Sequence, residues 1–261
     1  MEKMEHLKRM IAGKKRLAIA FSGGRDSTLV ALASYKALGN EAVAITVRSD
    51  LMSSRDVKDA FEVSELIGIG LEVIYLDQLS LEGFAVNTPD RCAICKKALM
   101  TKVIEKAKEM GIGYVADGAV VDDKDDYRPG HRVATDIGVI HPLIDSGIDH
   151  KDVENILKEE GVPIWNKSPS PCLATRIPTN QIITKEKTMI ADMVENRILD
   201  LGFKTARMRI LEGQDGSLYG VIEVDNPKMA LDMWDDITAD MDRLRIFLDP
   251  RGYRMGSMNK I

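Results

Sequence analysis

The hexapeptide Ser22-Gly23-Gly24-Arg25-Asp26-Ser27 lies between an apolar run, Leu17 to Phe21, and a stretch of helical character that opens near Thr28. A buried strand running into a glycine turn and then a helix directs backbone N–H groups and the positive end of a helix dipole at one spot. That order makes an anion cradle. Gly23 and Gly24 let the backbone approach phosphate oxygens, Ser22 and Ser27 add hydroxyl donors, and Asp26 can reach a magnesium ion or cap the helix. The G-x-G-x-x-G spacing and the G-K-S/T ending of the Walker loop are absent. An ordinary βα turn, which also favours Ser, Gly and Asp, is the competing reading.

Downstream of this turn the pattern repeats. The periodicity predicts a helix over 28–38, a strand over 41–47, a helix over 57–66, a strand over 71–76, a helix over 98–110 and a short buried strand over 114–116 that ends at Asp117-Gly118. Alternation of this kind predicts an α/β fold, a doubly wound parallel sheet whose ligands gather at the carboxyl ends of the strands. Residues 139–143 read as an edge strand or turn, and 151–160 as a charged helix capped by Asp149. Four prolines between Val162 and Gln181 interrupt regular structure. Beyond them come a helix over 184–201 capped by Thr184, a hairpin from 207–211 and 218–224, a helix over 227–244 and a last strand over 245–248. The expected division is 1–165 for the α/β domain, 166–183 for a Pro-rich functional loop or linker, and 184–261 for a smaller C-terminal α+β domain.

With 261 residues, 44% of them apolar, the chain has enough material for a sizeable core. Its net charge of −5 argues against a broad basic face for nucleic acid. The charged first sixteen residues lack the apolar centre of a signal peptide, and no apolar run approaches the ~18 residues of a membrane span. A cytoplasmic protein with no membrane partner is expected, one whose cysteines stay out of disulfides.

The three cysteines are Cys92 and Cys95, spaced as C-x-x-C, and Cys172 in the Pro-rich loop. Three thiolates can hold three irons of a [4Fe-4S] cluster and leave the fourth without a protein ligand. A tetrahedral zinc site with a water is a second reading, and independent cysteines, one of them a sulfur nucleophile, a third. Asp117 follows a strand at the ligand end of the sheet, whereas Lys124 to Asp126 reads as a solvated acidic loop. Arg128, ahead of a Pro-Gly turn, is placed either for a bidentate contact to carboxylate or phosphate or for a salt bridge to a neighbouring aspartate.

The S-G-G-x-D-S pattern resembles the PP-loop of the N-type ATP pyrophosphatases, adenine nucleotide alpha hydrolase-like enzymes that adenylate a substrate oxygen and release pyrophosphate. That resemblance implies that Ser22, Gly23, Gly24, Asp26 and Ser27 hold ATP phosphates and Mg2+. Further along, Pro89-Asp90-Arg91-Cys92 with Cys95, Asp122-Asp123, Tyr127-Arg128-Pro129-Gly130, Cys172-Leu173-Ala174-Thr175-Arg176-Ile177-Pro178 and the stretch Gly252 to Asn259 resemble the LarE family. These are ATP-dependent sulfur transferases that thiolate pyridinium-3,5-biscarboxylic acid mononucleotide during nickel-pincer nucleotide synthesis. The resemblance implies the three-cysteine version of that chemistry: ATP adenylates a substrate carboxylate, and sulfide carried on the open iron of a cluster held by Cys92, Cys95 and Cys172 attacks the acyl-adenylate. It also implies that Arg207 and Arg209 contact phosphate near Glu223, that Arg128 belongs to the same ligand set, that Cys172 and Asp26 act in catalysis, and that the chain self-associates. Arg25, Ala119 and Leu211 depart from the family pattern. The implied partner is a small nucleotide-like molecule; the sulfur donor is unspecified. A PP-loop tRNA thiolase with a similar cluster and a nucleotide-binding sulfur or cluster sensor are the alternatives, the first disfavoured by the acidic balance.

Overall fold

A computed structural model describes residues 2–124, 129–167, 170–241 and 244–254. The chain forms two compact units, one of Met1–Ser49, Ser54–Asp77 and Cys92–Ser170, the other of Asp50–Ser53, Gln78–Arg91 and Pro171–Ile261. The division is therefore not a single cut, because the second unit takes two short segments from the first 91 residues.

The first unit contains α1 (Glu2–Ala12), β1 (Leu17–Ala20), α2 (Arg25–Leu38), β2 (Ala42–Arg48), α3 (Ser54–Ile67), β3 (Gly70–Tyr75), α4 (Arg91–Glu109), β4 (Val115–Ala116), α5 (Pro129–Asp136), α6 (Pro142–Asp145) and α7 (His150–Glu159). Its strands form a parallel sheet in the order β3-β2-β1-β4. Parallel strands need crossover helices, and those helices cover both faces. On one face Ala18 and Ile45 pack with Met100, Val103 and Ala107 of α4 and Ala134 of α5. α2 lies on β1 and β2 and is itself backed by α1 and α7. This is the doubly wound α/β fold that the alternating pattern predicts.

The structure departs from the sequence reading in four places. The charged N-terminus forms α1, because Met4, Leu7 and Ile11 recur at helical spacing and are buried. α4 begins at Arg91 rather than near 98, its first two turns being polar and without apolar periodicity. Residues 139–143 supply one parallel bridge, Ile140 to Ala116, before Pro142 opens α6. The helix expected over 227–244 breaks into two short helices at Met233 (φ −112°, ψ 22°).

The second unit contains α8 (Lys185–Asp200), β5 (Ala206–Glu212), β6 (Leu218–Val224), α9 (Pro227–Asp232), α10 (Trp234–Thr238) and β7 (Arg245–Leu248). β5 and β6 pair antiparallel, and β7 joins β6 in parallel. Successive strand residues face opposite sides. Ala206, Met208 and Ile210 thus reach the apolar core with Ala191, Val194 and Ile198 of α8, which leaves Arg207 and Arg209 on the alternate positions. Among the described residues no helix is long and apolar enough to cross a membrane.

A buried ion pair ties α8 to the turn after Cys172. Glu195 accepts from Arg176 Nε and Nη2, both at 2.7 Å, and from the Met208 N–H at 2.8 Å; Arg176 is only 1% exposed. Removing one partner of such a pair strands the other charge in low dielectric. Glu195→Ala is expected to lower the stability of the protein by about 3–5 kcal/mol, measured as the shift of the denaturant midpoint at constant m-value.

Candidate active site

β1 ends at Ala20, and Phe21-Ser22-Gly23-Gly24 carries the chain to the first residue of α2. Hydrogen bonds within the loop shape it. The Ser22 N–H donates to Ser27 Oγ (3.3 Å), the Gly24 N–H donates to Ser22 Oγ (3.3 Å), and Ser27 Oγ donates to the Gly24 carbonyl (3.1 Å). The two serine oxygens are 3.1 Å apart. Gly23 has φ +69°, and a Cβ there would stand 2.8 Å from the Ala60 nitrogen of α3. Only glycine fits. Gly118, just past β4, presses from the other side, since a Cβ on it would lie 2.5 Å from the Ser27 nitrogen and 2.8 Å from the Asp26 carbonyl carbon. The Asp117-Gly118 end of β4 and the start of α2 are thereby fixed against each other at the carboxyl end of the sheet.

Asp26 is half-buried in the first turn of α2. Burial pushes its carboxyl above the ordinary value, and Asp123 adds to this, while His150 and Arg25 oppose it. His150, the first residue of α7, places Nδ1 3.4 Å from Asp26 Oδ1 and donates its backbone N–H to Asp122. Arg25 reaches the Trp165 carbonyl at 3.5 Å and Glu154 at 3.6 Å, which gives the residue that departs from the PP-loop pattern a bracing role. Lys167 bridges Asp56 (2.7 Å) and Asp59 (2.6 Å) of α3 and approaches the Gly23 carbonyl at 3.4 Å. Ser170 also donates to Asp56, at 2.7 Å. Trp165, Lys167 and Ser170 are in this way strapped to the PP-loop and α3.

Asp117 is buried. It accepts from Lys96 Nζ (2.9 Å), from His141 Nδ1 (2.7 Å) and from the Ala119 N–H (3.2 Å). Burial alone would raise its carboxyl, but the His141 hydrogen bond and the Lys96 charge outweigh burial and hold it well below the carboxylate range. The other ring nitrogen, Nε2, lies within hydrogen-bond distance of Thr135 Oγ1, at 2.9 Å. Lys96 and His141 escape a reading of the sequence. Each is a single polar residue outside any motif, and the early start of α4 that brings Lys96 toward β4 carries no apolar period.

Cys92 and Cys95 stand in the first turn of α4, three residues apart and so on one face of the helix. Cys92 is exposed and Cys95 half-buried. Cys172, exposed, immediately precedes a short 3-10 turn over Leu173–Arg176 in the second unit. Among the described residues no three His, Cys, Asp or Glu side chains are gathered as a metal-binding group. Arg128 lies outside the described residues.

In the second unit Arg207 and Arg209 are each 7% exposed, not surface charges on a hairpin. Arg209 donates from Nε (3.2 Å) and Nη2 (2.9 Å) to Glu223 and from Nη1 to the Thr175 carbonyl at 3.0 Å. Arg207 lies 4.0 Å from Glu195, with its guanidinium 5.4 Å from the Tyr253 ring centre. Burial, then the charges of Arg176 and Arg209, draw Arg207 below the usual guanidinium value against the pull of Glu195. Among the described residues the guanidiniums of Arg176, Arg207 and Arg209 meet the carboxylates of Glu195 and Glu223 here. Positive charge predominates in this set, a setting suited to a phosphate.

A sequence profile of the NAD synthase family matches residues 4–112, which include the PP-loop. An uncharacterized protein of Synechocystis sp. is 31% identical over 268 residues, 99% of this chain and 97% of its own length. The pyridinium-3,5-bisthiocarboxylic acid mononucleotide synthase of Lactiplantibacillus plantarum is 31% identical over 196 residues, 75% of this chain and 71% of that one. The chain belongs to the LarE family. This LarE-family enzyme is an ATP-dependent sulfurtransferase built on a PP-loop, a family that works with ATP and magnesium. A glutamine-hydrolysing GMP synthase chain of Methanococcus vannielii is 29% identical over 202 residues, 72% of this chain and 64% of that one.

Two outcomes follow for this LarE-family enzyme from the packing around the PP-loop. In Gly118→Ala the added methyl must displace the start of α2, and ATP–pyrophosphate exchange is expected to fall about 100-fold with the far-UV circular dichroism unchanged. Asp117 carries a lowered carboxyl, so its contribution to stability is complete above about pH 4 and fades as the pH falls through its folded value. Chemical denaturation between about pH 2 and 4 should accordingly show a shallower acid loss in Asp117→Asn than in the wild type.

Proposed function

We propose that this protein adenylates a carboxylate of pyridinium-3,5-biscarboxylic acid mononucleotide and replaces a carboxylate oxygen with sulfur held at a [4Fe-4S] cluster. The observation that carries the reading is the presence of two separate phosphate-type cradles, the PP-loop in one unit and the Arg207–Arg209 set in the other. One suits the triphosphate of ATP, the other the monophosphate of a nucleotide acceptor. The L. plantarum relative, by its name, makes a bisthiocarboxylic acid mononucleotide, which supports the same acceptor class here.

Ser22, Ser27 and the N–H groups opening α2 hold the phosphates, since the first amides of a helix have no intrahelical acceptor. Asp26 suits magnesium: burial disfavours its negative charge, and a cation alongside relieves that cost. The ion neutralises charge that develops on the departing pyrophosphate. Lys167 and Arg25 keep the segment from Trp165 to Lys167 on the PP-loop. Arg207 and Arg209 grip the acceptor phosphate. Arg128 is assigned to the same ligand set. Cys92, Cys95 and Cys172 suit the cluster by donor chemistry, being three thiols with two of them on one helix face. When bound, the cluster supplies sulfur at an iron that has no protein ligand.

Iron and acid-labile sulfide are to be measured on protein purified without oxygen, beside Cys95→Ala, and both forms assayed with ATP and the mononucleotide for AMP and thiocarboxylate. About four irons per chain and thiolated product in the wild type, both lost in the variant, are expected. Wild-type protein that thiolates the acceptor without iron, with the mass of Cys172 lowered by loss of its sulfur, would overturn the cluster in favour of a sacrificial cysteine.

A further inference from the structure

Beyond β7 the chain makes one turn and comes back to β6. The Asp249 N–H donates to the Ile222 carbonyl (2.9 Å), the Gly252 N–H to the Asp249 carbonyl (3.0 Å) and the Tyr253 N–H to the Val224 carbonyl (2.8 Å). Asp249 Oδ1 accepts from the Arg251 N–H and Nε, and Oδ2 from Nη2, all at 2.9 Å, which braces the turn. Gly252 has φ +70°, and a Cβ there would stand 2.8 Å from the Val224 carbonyl oxygen. The backbone of Tyr253 is thereby fixed at the end of β6, within the second unit.

That placement brings the Tyr253 ring to Arg207. Across the β5–β6 ladder Val224 pairs with Ala206 and Glu223 with Arg207, so a chain bonded to the Val224 carbonyl lies one residue from the Arg207 pair. The guanidinium stands 5.4 Å from the ring centre. Attraction of a cation to an aromatic face needs no hydrogen-bond acceptor, so the ring can hold Arg207 in place while an oxyanion takes its hydrogen bonds. A competitor for the same cation is close by. Glu195 lies 4.0 Å from Arg207 Nη1, too far for a hydrogen bond, and Nη1 instead donates to the Ala206 carbonyl at 2.7 Å. Released from the ring, the guanidinium is drawn by charge onto the Glu195 carboxylate.

We infer that Tyr253 is a positioning residue for Arg207, its ring holding the guanidinium apart from Glu195 and available to the acceptor phosphate. The inference rests on the proposed binding of that phosphate by Arg207 and Arg209. A residue that only kept the turn on β6 would change the melting temperature and leave the recognition of phosphate alone.

The test uses the full chain, purified without oxygen, as wild type, Tyr253→Leu and Tyr253→Phe. Calorimetric titration measures the binding of pyridinium-3,5-biscarboxylic acid mononucleotide and of the nucleoside that lacks its phosphate, with and without a non-hydrolysable ATP analogue, alongside the melting curve. The ratio of the two affinities isolates what the phosphate contributes. In a cooperatively melting Tyr253→Leu that ratio is expected to fall about tenfold, through weaker binding of the mononucleotide alone, and Tyr253→Phe, which keeps the ring, restores it. Tyr253→Met, also without a ring, serves if the leucine variant does not fold. An unchanged ratio in Tyr253→Leu would overturn the inference and leave the phosphate assignment standing. A phenylalanine variant as impaired as the leucine one would overturn it as well. A wild type that binds both ligands equally, or neither, would overturn it together with the assignment of the acceptor phosphate to Arg207 and Arg209.

Discussion

Two backbones approach each other at the start of α2 more closely than any side chain allows. Gly23 lies against Ala60 of α3, and Gly118 lies against Ser27; each contact excludes even a methyl group. Close packing of this kind transmits displacement instead of absorbing it. The PP-loop is therefore held by three elements of the sheet and its helices, not by its own hydrogen bonds alone. Donors preorganised by such packing stabilise charge without reorganising at the moment of reaction.

Around this centre the charges are balanced unevenly. Asp117 is met by the Lys96 charge and the His141 hydrogen bond, which keep it ionised inside the fold. Asp26 is under-compensated, its carboxyl raised by burial, and it calls for a cation. In the second unit the guanidiniums of Arg176, Arg207 and Arg209 meet the carboxylates of Glu195 and Glu223. Groups whose charge the fold balances incompletely are the ones whose environment a ligand improves.

What the sequence discloses about this fold depends on distance along the chain. The PP-loop is six consecutive residues between a strand and a helix, and its turn, flanking elements and hydroxyls can all be read locally. The parallel sheet follows from alternating periods. Asn87 meeting Ile177, Arg176 meeting Glu195 and Lys96 meeting Asp117 join residues that no local period connects. His141 and Lys167 carry no pattern at all, and each acquires its role only through its neighbours in space. The same reason explains why Asp50–Ser53 and Gln78–Arg91 fall in the second unit, since nothing in their composition points forward to residues beyond 171. α1 is legible in principle from Met4, Leu7 and Ile11, but its charges dominate the stretch.

The interleaving of the two units has a consequence for the order in which the chain can fold as it is made. The acceptors of Asn87 lie 90 and 91 residues further on. At a synthesis rate of about 5–20 residues per second, residues 78–91 wait about 5–20 s for the segment that completes their hydrogen bonds. The α/β unit can assemble in that interval. The second unit then closes last, once the 177–183 segment has emerged to accept the hydrogen bonds of Asn87.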